Sequence, residues 1–220
     1  MLTLYIGNKN YSSWSLRAWL LLRQLGIAFE ERKLPLFTDE FHRALAGISP
    51  AGLVPVLVDD GFAVWDTLAI AEYLAERFPD TRVWPADPKT RARARSVCAE
   101  MHAGFGSLRH RMPMNIDARL PGLGRDPEVQ RDIDRITAMW QELRAAHAGD
   151  GPFLFGRFSA ADAFYAPVVT RFVTYEVTLP DVCAAYVATI QALTAIREWT
   201  QAALAEKCFI PEEEPYRQRA

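Results

Sequence analysis

The proline-rich segment at residues 79–88 divides this 220-residue chain into two parts with different secondary-structure patterns. Before it, short β-prone runs alternate with helical runs, and after it only helical patterns occur. Such a segment between two different patterns is typical of a linker between domains. We therefore expect an α/β domain over residues 1–79, a linker over 80–88 and an all-helical domain over 89–220.

The first part predicts the element order β-α-β-α-β-β-α. The strands are expected at 2–6, 29–36, 54–58 and 62–65, and the helices at 14–25, 38–46 and 67–78. One helix separates the first two strands, so these strands should be parallel with a right-handed crossover. Asp59-Asp60-Gly61 predicts a hairpin between the last two strands.

The second part predicts helices only. They are expected at 89–112, at 126–147, from Ser159 onward, at 182–193 and at 196–207. Asp126 followed by a proline is typical of a helix start. Ser159 and Asp162 have the spacing of a capping box, which is a structural feature.

Composition narrows the class of protein. The net charge of −2 and a basic segment at 89–95 that fits a solvated helix face argue against a nucleic-acid partner. No apolar run reaches membrane-spanning length, and the first residues lack the pattern of a signal peptide. The three cysteines are widely spaced, which predicts neither a disulfide framework nor a metal site. We expect a cytoplasmic protein.

A serine-rich motif, Ser12-Ser13-Trp14-Ser15-Leu16-Arg17, lies between the first strand and the first helix. A serine at this place is a common helix cap, and that interpretation is favoured for the motif alone. The same position lets a hydroxyl and a helix N-terminus stabilise a thiolate together, which lowers the pKa of a thiol.

Pro55 opens the third predicted strand, where a proline removes a donor from the ladder. One interpretation is an edge strand. The other is a cis Val54–Pro55 bond, which would turn the main chain of Val54 outward. Its N–H and C=O would then pair with an extended peptide, as in strand addition.

Asp66 and Thr67 stand where a strand ends and a helix begins. Helix capping is the simplest interpretation. The hydroxyl and the first N–H groups of the helix can also accept a carboxylate, and Asp66 can pair with an ammonium. A γ-glutamyl group carries both charges on one carbon.

These three motifs in this order, together with residues 156–162, resemble the cytosolic glutathione transferases over nearly the whole chain. The resemblance implies a thioredoxin-like glutathione-binding domain followed by an all-helical domain. It implies a cis Pro55, a Val54 main chain that binds the cysteinyl residue of glutathione, and a γ-glutamyl site at Asp66 and Thr67. It also implies glutathione as cosubstrate, no metal, a homodimer and a role in detoxification.

The serine motif is similar to the zeta-class pattern Ser-Ser-Cys-Ser-x-Arg, with Trp14 in place of the cysteine. Ser12 and Ser13 are both candidates for the catalytic hydroxyl. Arg17 should anchor the helix or meet an acid. His42 is a candidate ligand for the glycyl carboxylate of glutathione, and an exposed surface histidine is the alternative interpretation.

The second substrate should lie between the two domains. Tyr11 and Trp14 are expected on one side, and Arg109, Met112 and Asn115 on the other. Arg109 would attract an acidic substrate, whereas core packing is favoured for the methionine. The helix after Thr67 and the basic helix after residue 88 could face each other between the subunits of the dimer.

The resulting prediction is an enzyme that activates the glutathione thiol for attack on a small electrophile. A zeta-like isomerase, a peroxide reductase and a non-catalytic binding protein of the same fold are the alternatives. A thiol–disulfide oxidoreductase is disfavoured, because it would need a cysteine near residues 12–15.

Overall fold

The computed structural model describes residues 1–218, and its first part is a four-stranded sheet with helices. The strands are β1 (Leu2–Ile6), β2 (Glu30–Lys33), β3 (Val56–Asp59) and β4 (Phe62–Trp65), and the helices are α1 (Ser13–Gln24), α2 (Asp39–Ala46) and α3 (Thr67–Arg77). This order confirms the prediction. β2 is shorter than predicted, because only residues 30–33 pair with β1.

The sheet order is β2-β1-β3-β4. β1 pairs in parallel with β2, as predicted, and antiparallel with β3, which forms a hairpin with β4. The alternate residues Leu2, Leu4 and Ile6 of β1 are buried, as expected for a central strand with one face on the core.

The second part consists of helices in the described residues. They are α4 (Pro88–Ala103), α5 (Gly106–Arg111), α6 (Pro127–Ala146), α7 (Ala160–Thr174), α8 (Asp181–Ala192) and α9 (Thr194–Glu206). Asp126 caps α6, and Ser159 with Asp162 forms the predicted capping box at α7. Within residues 1–218, none of these helices is long and apolar enough to cross a membrane.

The prediction of a single helix at 89–112 is wrong, because the helix ends at Ala103 and a new one begins at Gly106. Gly104 leaves the helical conformation, and a Cβ there would lie 2.7 Å from the carbonyl oxygen of Glu100. Phe105 has a φ of +55°, and α5 begins at the next residue. In the first turn of α5, the N–H of Leu108 donates to the carboxylate of Asp132 in α6 at 2.9 Å. The group that stabilises this new start comes from another helix, so the local sequence did not reveal it.

The two parts share one hydrophobic core. α1 packs against α7 and α9, and the buried residues of both parts form a continuous cluster. Trp19 of α1 and Trp199 of α9 are in edge contact, with ring centroids 5.1 Å apart. The position of α1 is therefore set by the second part as well as by the sheet.

The turn between β1 and α1, residues 7–12, is bound by the second part. The Asn10 amide donates to Oδ1 of Asn115 at 3.0 Å, and its oxygen accepts the N–H of Asp117 at 2.9 Å. The Lys9 carbonyl accepts the indole N–H of Trp199 at 2.9 Å. These bonds join the start of α1 to two separate segments of the helical part.

The first part holds the same turn from the other side. Asn8 accepts the N–H of Leu36 through its side chain at 2.9 Å and the N–H of Ser12 through its carbonyl at 2.8 Å. Ser15 Oγ accepts the N–H of Gly7 at 3.0 Å. The turn thus presents the first residues of α1 in a fixed orientation.

Candidate active site

A cavity of about 340 Å³ lies between the start of β3, the start of α3 and the end of α4. It is lined by Trp14, Ala51, Leu53, Val54, Pro55, Trp65, Asp66, Thr67 and His102. The cavity therefore brings together four of the residues predicted to bind glutathione and one predicted for the second substrate. It also adds His102, which the sequence analysis missed.

The Val54–Pro55 bond is cis, as the resemblance implied. β3 starts directly afterwards, at Val56. Within residues 1–218, no hydrogen bond to the main chain of Val54 is formed. Its N–H and C=O are thus available to an extended ligand in the cavity.

The start of α3 supplies a second set of polar groups. Asp66 caps the helix by accepting the N–H of Leu68 on Oδ1 at 2.8 Å, and its φ of +73° is uncommon for a residue other than glycine. The Thr67 hydroxyl is buried and has no hydrogen-bond partner in the described residues. An unpaired hydroxyl at a helix N-terminus is suited to an anion such as a carboxylate.

His102 stands in the last turn of α4 and faces Asp66 across the junction of the two parts. Its Nε2 lies 2.6 Å from Asp66 Oδ2, and its ring meets that of Trp14 edge-on, with centroids 5.1 Å apart. The contact depends on how α4 packs beside α3. No local pattern around residue 102 could therefore have indicated it.

The helices α3 and α4 also contact each other within the chain, and their expected meeting between subunits stays a prediction. Arg95 of α4 forms two hydrogen bonds to the Glu72 carboxylate of α3, at 2.7 and 2.8 Å, within the same chain. These helix faces were expected to meet between subunits. In the structure they are already joined to each other.

The two candidate serines of the motif differ in their hydrogen bonds. Ser12 is the N-cap of α1, and its Oγ donates to Ser15 Oγ at 2.7 Å. Ser13 is the first residue of the helix and makes no side-chain hydrogen bond in the described part of the chain. Both serines are buried, and the next residue, Trp14, lines the cavity.

Two arginines contact the Trp14 ring. The guanidinium carbon of Arg17 lies 4.1 Å from the ring centre, and that of Arg109 lies 5.5 Å from it. Arg17 also lies 5.1 Å from the ring of Phe164 in α7. Arg109 donates to the His102 carbonyl at 3.1 Å. It therefore contacts two residues that line the cavity, Trp14 and His102.

The charge of Arg17 is not compensated. Its side chain is 1 % exposed, and its Nε and Nη1 have no partner among residues 1–218. Burial, followed by the neighbouring charges of Arg171 and Arg109, lowers the pKa of Arg17 to about 9. A buried cation without an anionic partner is costly, and the rings of Trp14 and Phe164 offset only part of that cost.

Comparison with known proteins identifies the family. The model described as "Glutathione S-transferase, N-terminal domain" matches residues 11–77, and the one described as "Glutathione S-transferase, C-terminal domain" matches 126–202. The chain belongs to the glutathione S-transferase family. The fold is accordingly a thioredoxin-like domain followed by a helical domain, and the relatives are enzymes.

Individual relatives extend the comparison. The chain is 31% identical to a probable maleylacetoacetate isomerase from Caenorhabditis elegans, over 66% of this chain and 67% of that protein. It is 28% identical to the maleylacetoacetate isomerase of Rattus norvegicus, over 80% of each chain. A glutathione transferase homolog from Burkholderia, crystallised with bound glutathione, superimposes with a TM-score of 0.70 at 24% identity, covering 94% of this chain and 99% of that one.

Several residues predicted for this transferase's second-substrate site lie elsewhere. Tyr11 is buried, and its hydroxyl donates to the Glu214 carboxylate at 2.7 Å, so it does not line the cavity. Met112 and Asn115 are also buried, the first in the core and the second against Asn10, so they do not line the cavity either. His42, which was predicted instead as a ligand for the glycyl carboxylate of glutathione, is exposed on α2 and does not line it either.

Replacing Arg17 by methionine should raise the free energy of unfolding of the ligand-free transferase by about 1 kcal/mol, because it removes an unpaired buried charge and keeps most of the volume. Arg171→Met is the matched control. Arg171 is 3 % exposed, but it donates to the carbonyls of Met112 and Pro167, so its loss should destabilise.

Urea denaturation at neutral pH measures both variants. Equal destabilisation by Arg17→Met and Arg171→Met would show that the Arg17 charge is compensated within the protein.

Proposed function

We propose that this transferase binds glutathione in the cavity, activates its thiol and presents the thiolate to a small acidic electrophile. The observation that carries the proposal is the set of unpaired polar groups around the cavity. The Val54 main chain and the Thr67 hydroxyl lack partners in the described residues, and the serines at the start of α1 adjoin the same cavity through Trp14.

Each part of glutathione has a matching group. The cysteinyl residue would pair with the N–H and C=O of Val54 as a short added strand. The γ-glutamyl carboxylate would accept hydrogen bonds from the Thr67 hydroxyl and the first N–H groups of α3. The γ-glutamyl ammonium would pair with Asp66.

Activation of the thiol would come from the start of α1. A free thiol has a pKa of about 8.5, and lowering it by two units corresponds to about 2.7 kcal/mol. One charge-assisted hydrogen bond together with a helix N-terminus is sufficient for that. The Ser13 hydroxyl makes no hydrogen bond in the described residues and is available to sulfur. Ser12 can donate to sulfur if both hydroxyls rotate so that Ser12 accepts a hydrogen bond from Ser15 instead of donating one.

The arginines favour an electrophile that carries a carboxylate. Arg109 is partly buried beside Trp14, and Arg17 lies on the same ring with no anionic partner in the described residues. A carboxylate next to Trp14 would be attracted by both guanidinium groups.

Isomerisation is a second candidate reaction. It is favoured by the serine motif and by the relatives named maleylacetoacetate isomerase, whose substrate is an acid. Conjugation consumes glutathione and isomerisation returns it, so the change in free thiol per molecule of product distinguishes the two. A non-catalytic binding protein would retain glutathione and show neither reaction.

The double variant Asp66→Ala with Thr67→Ala should bind glutathione at least about tenfold more weakly, because hydrogen bonds to charged groups contribute about 1.5–3 kcal/mol each. The matched control is Asp87→Ala with Thr90→Ala, which removes the corresponding cap of α4 outside the cavity. Isothermal calorimetry gives the affinities, and circular dichroism checks the fold. An unchanged affinity in the Asp66 and Thr67 variant would contradict the proposed site.

Alanine at the catalytic serine should raise the pKa of bound glutathione and lower turnover by about 100-fold, the usual cost of one lost oxyanion donor. Ultraviolet thiolate absorbance against pH is measured for Ser12→Ala, Ser13→Ala and the double variant, with exposed Ser96→Ala as control. Ser12→Ala should also cost about 1 kcal/mol of stability as a lost cap, and Ser13→Ala should not. An unchanged titration in the double variant would rule out activation by either serine.

We also propose that this transferase is a cytoplasmic homodimer, by analogy with the family. Light scattering over a range of concentrations should therefore give about twice the monomer mass of 24.8 kDa. A mass near that of the monomer throughout the range would contradict the proposal.

A further inference from the structure

We propose that His102 competes with the γ-glutamyl ammonium of glutathione for Asp66, so that glutathione binds more weakly when His102 is protonated. The inference rests on the proposed glutathione site and adds to it a residue from the helical domain. The affinity of the thioredoxin-like domain for glutathione would then depend on a side chain of α4.

The geometry places the imidazole where the ammonium should bind. Of the two Asp66 carboxylate oxygens, Oδ1 accepts the N–H of Leu68, and Oδ2 lies 2.6 Å from His102 Nε2. The Asp66 side chain is 41% exposed and that of His102 28%, and both line the cavity. A ligand ammonium that approaches Asp66 from the cavity therefore meets the oxygen that His102 already occupies.

The charge of the imidazole decides how strongly it competes. A neutral His102 donates one hydrogen bond from Nε2 and leaves the full negative charge on Asp66. A protonated His102 forms an ion pair that neutralises the carboxylate, and it also repels an incoming ammonium. By linkage, binding of the ammonium disfavours protonation of His102, and glutathione affinity should fall as the pH falls.

The other charged groups that face His102 come from three elements. They are Asp66 from α3, Arg109 from α5, whose guanidinium donates to the His102 carbonyl, and Arg17 from α1, behind the Trp14 ring. None of these is an imidazole, the side chain that as a class exchanges its proton between about pH 5 and 8. A change in affinity within this window that is lost in His102→Gln therefore reports on His102.

The test compares the wild-type chain with His102→Gln, because a glutamine amide can donate to Asp66 as a neutral imidazole does but does not titrate. Binding of S-methylglutathione, which has no thiol to ionise, is measured by calorimetry at pH 5.5, 6.5 and 7.5. His110→Gln, at an exposed histidine of α5, is the matched control.

The wild type and His110→Gln should lose about tenfold in affinity between pH 7.5 and 5.5, which corresponds to about 1.4 kcal/mol. His102→Gln should lose much less and should bind more tightly than the wild type at pH 5.5. Calorimetry of the wild type in buffers of different ionisation enthalpy should also show protons released on binding within the same pH range. This last measurement needs no variant.

The outcomes separate the inference from the proposed function. Equal acid weakening in the wild type and His102→Gln, without proton release, would overturn the competition. Weaker binding by His102→Gln at every pH, with the same pH profile, would overturn it in favour of a positioning role for His102. If Asp66→Ala with Thr67→Ala bound glutathione as tightly as the wild type, that result would instead contradict the glutathione site itself.

Discussion

The turn between β1 and α1 fixes the geometry on which the candidate site depends. Its residue Asn10 makes side-chain hydrogen bonds to Asn115 and Asp117, and its residue Asn8 accepts the main-chain N–H of Leu36. Buried amides that lose such partners are costly, so the turn and both flanking segments hold one another in place. The N-terminus of α1 is therefore fixed relative to the helical domain by hydrogen bonds of the protein itself, which is the preorganisation that the proposed thiol activation requires.

The patterns that could be predicted from the sequence are those whose physical cause is local. Hydrophobic spacing and caps such as Thr38 and Asp126 predicted the elements, since the capping side chain and the N–H that it accepts lie within three residues. Contacts between distant segments could not be predicted in this way. Tyr11 adjoins the serine motif, yet its hydroxyl partner Glu214 lies 203 positions further along the chain.

The same distinction applies to the site. Val54, Asp66 and Thr67, which line one cavity, could be proposed from the sequence because their functional groups stand at the ends of local elements. His102 was missed because its contact with Asp66 comes from the packing of α4 beside α3, which no local pattern reports. A helix continued through residue 104 would have carried the following residues, including Arg109, to different positions.

Electrostatics join these observations into one argument about the ligands. Beside Trp14 lie the cations Arg17 and Arg109, and the carboxylate among the residues that line the cavity is Asp66, which His102 engages. Arg17 is held by aromatic rings, which stabilise a cation less than a carboxylate partner does. This arrangement supports the proposal of acidic ligands, because anions are attracted by the two guanidinium groups. Glutathione carries two carboxylates and one ammonium, and an acidic electrophile adds a further negative charge. In the proposed site Asp66 selects the ammonium, so the charge of His102 would determine how much of this selection is available, while the arginines would act on the carboxylates at every physiological pH.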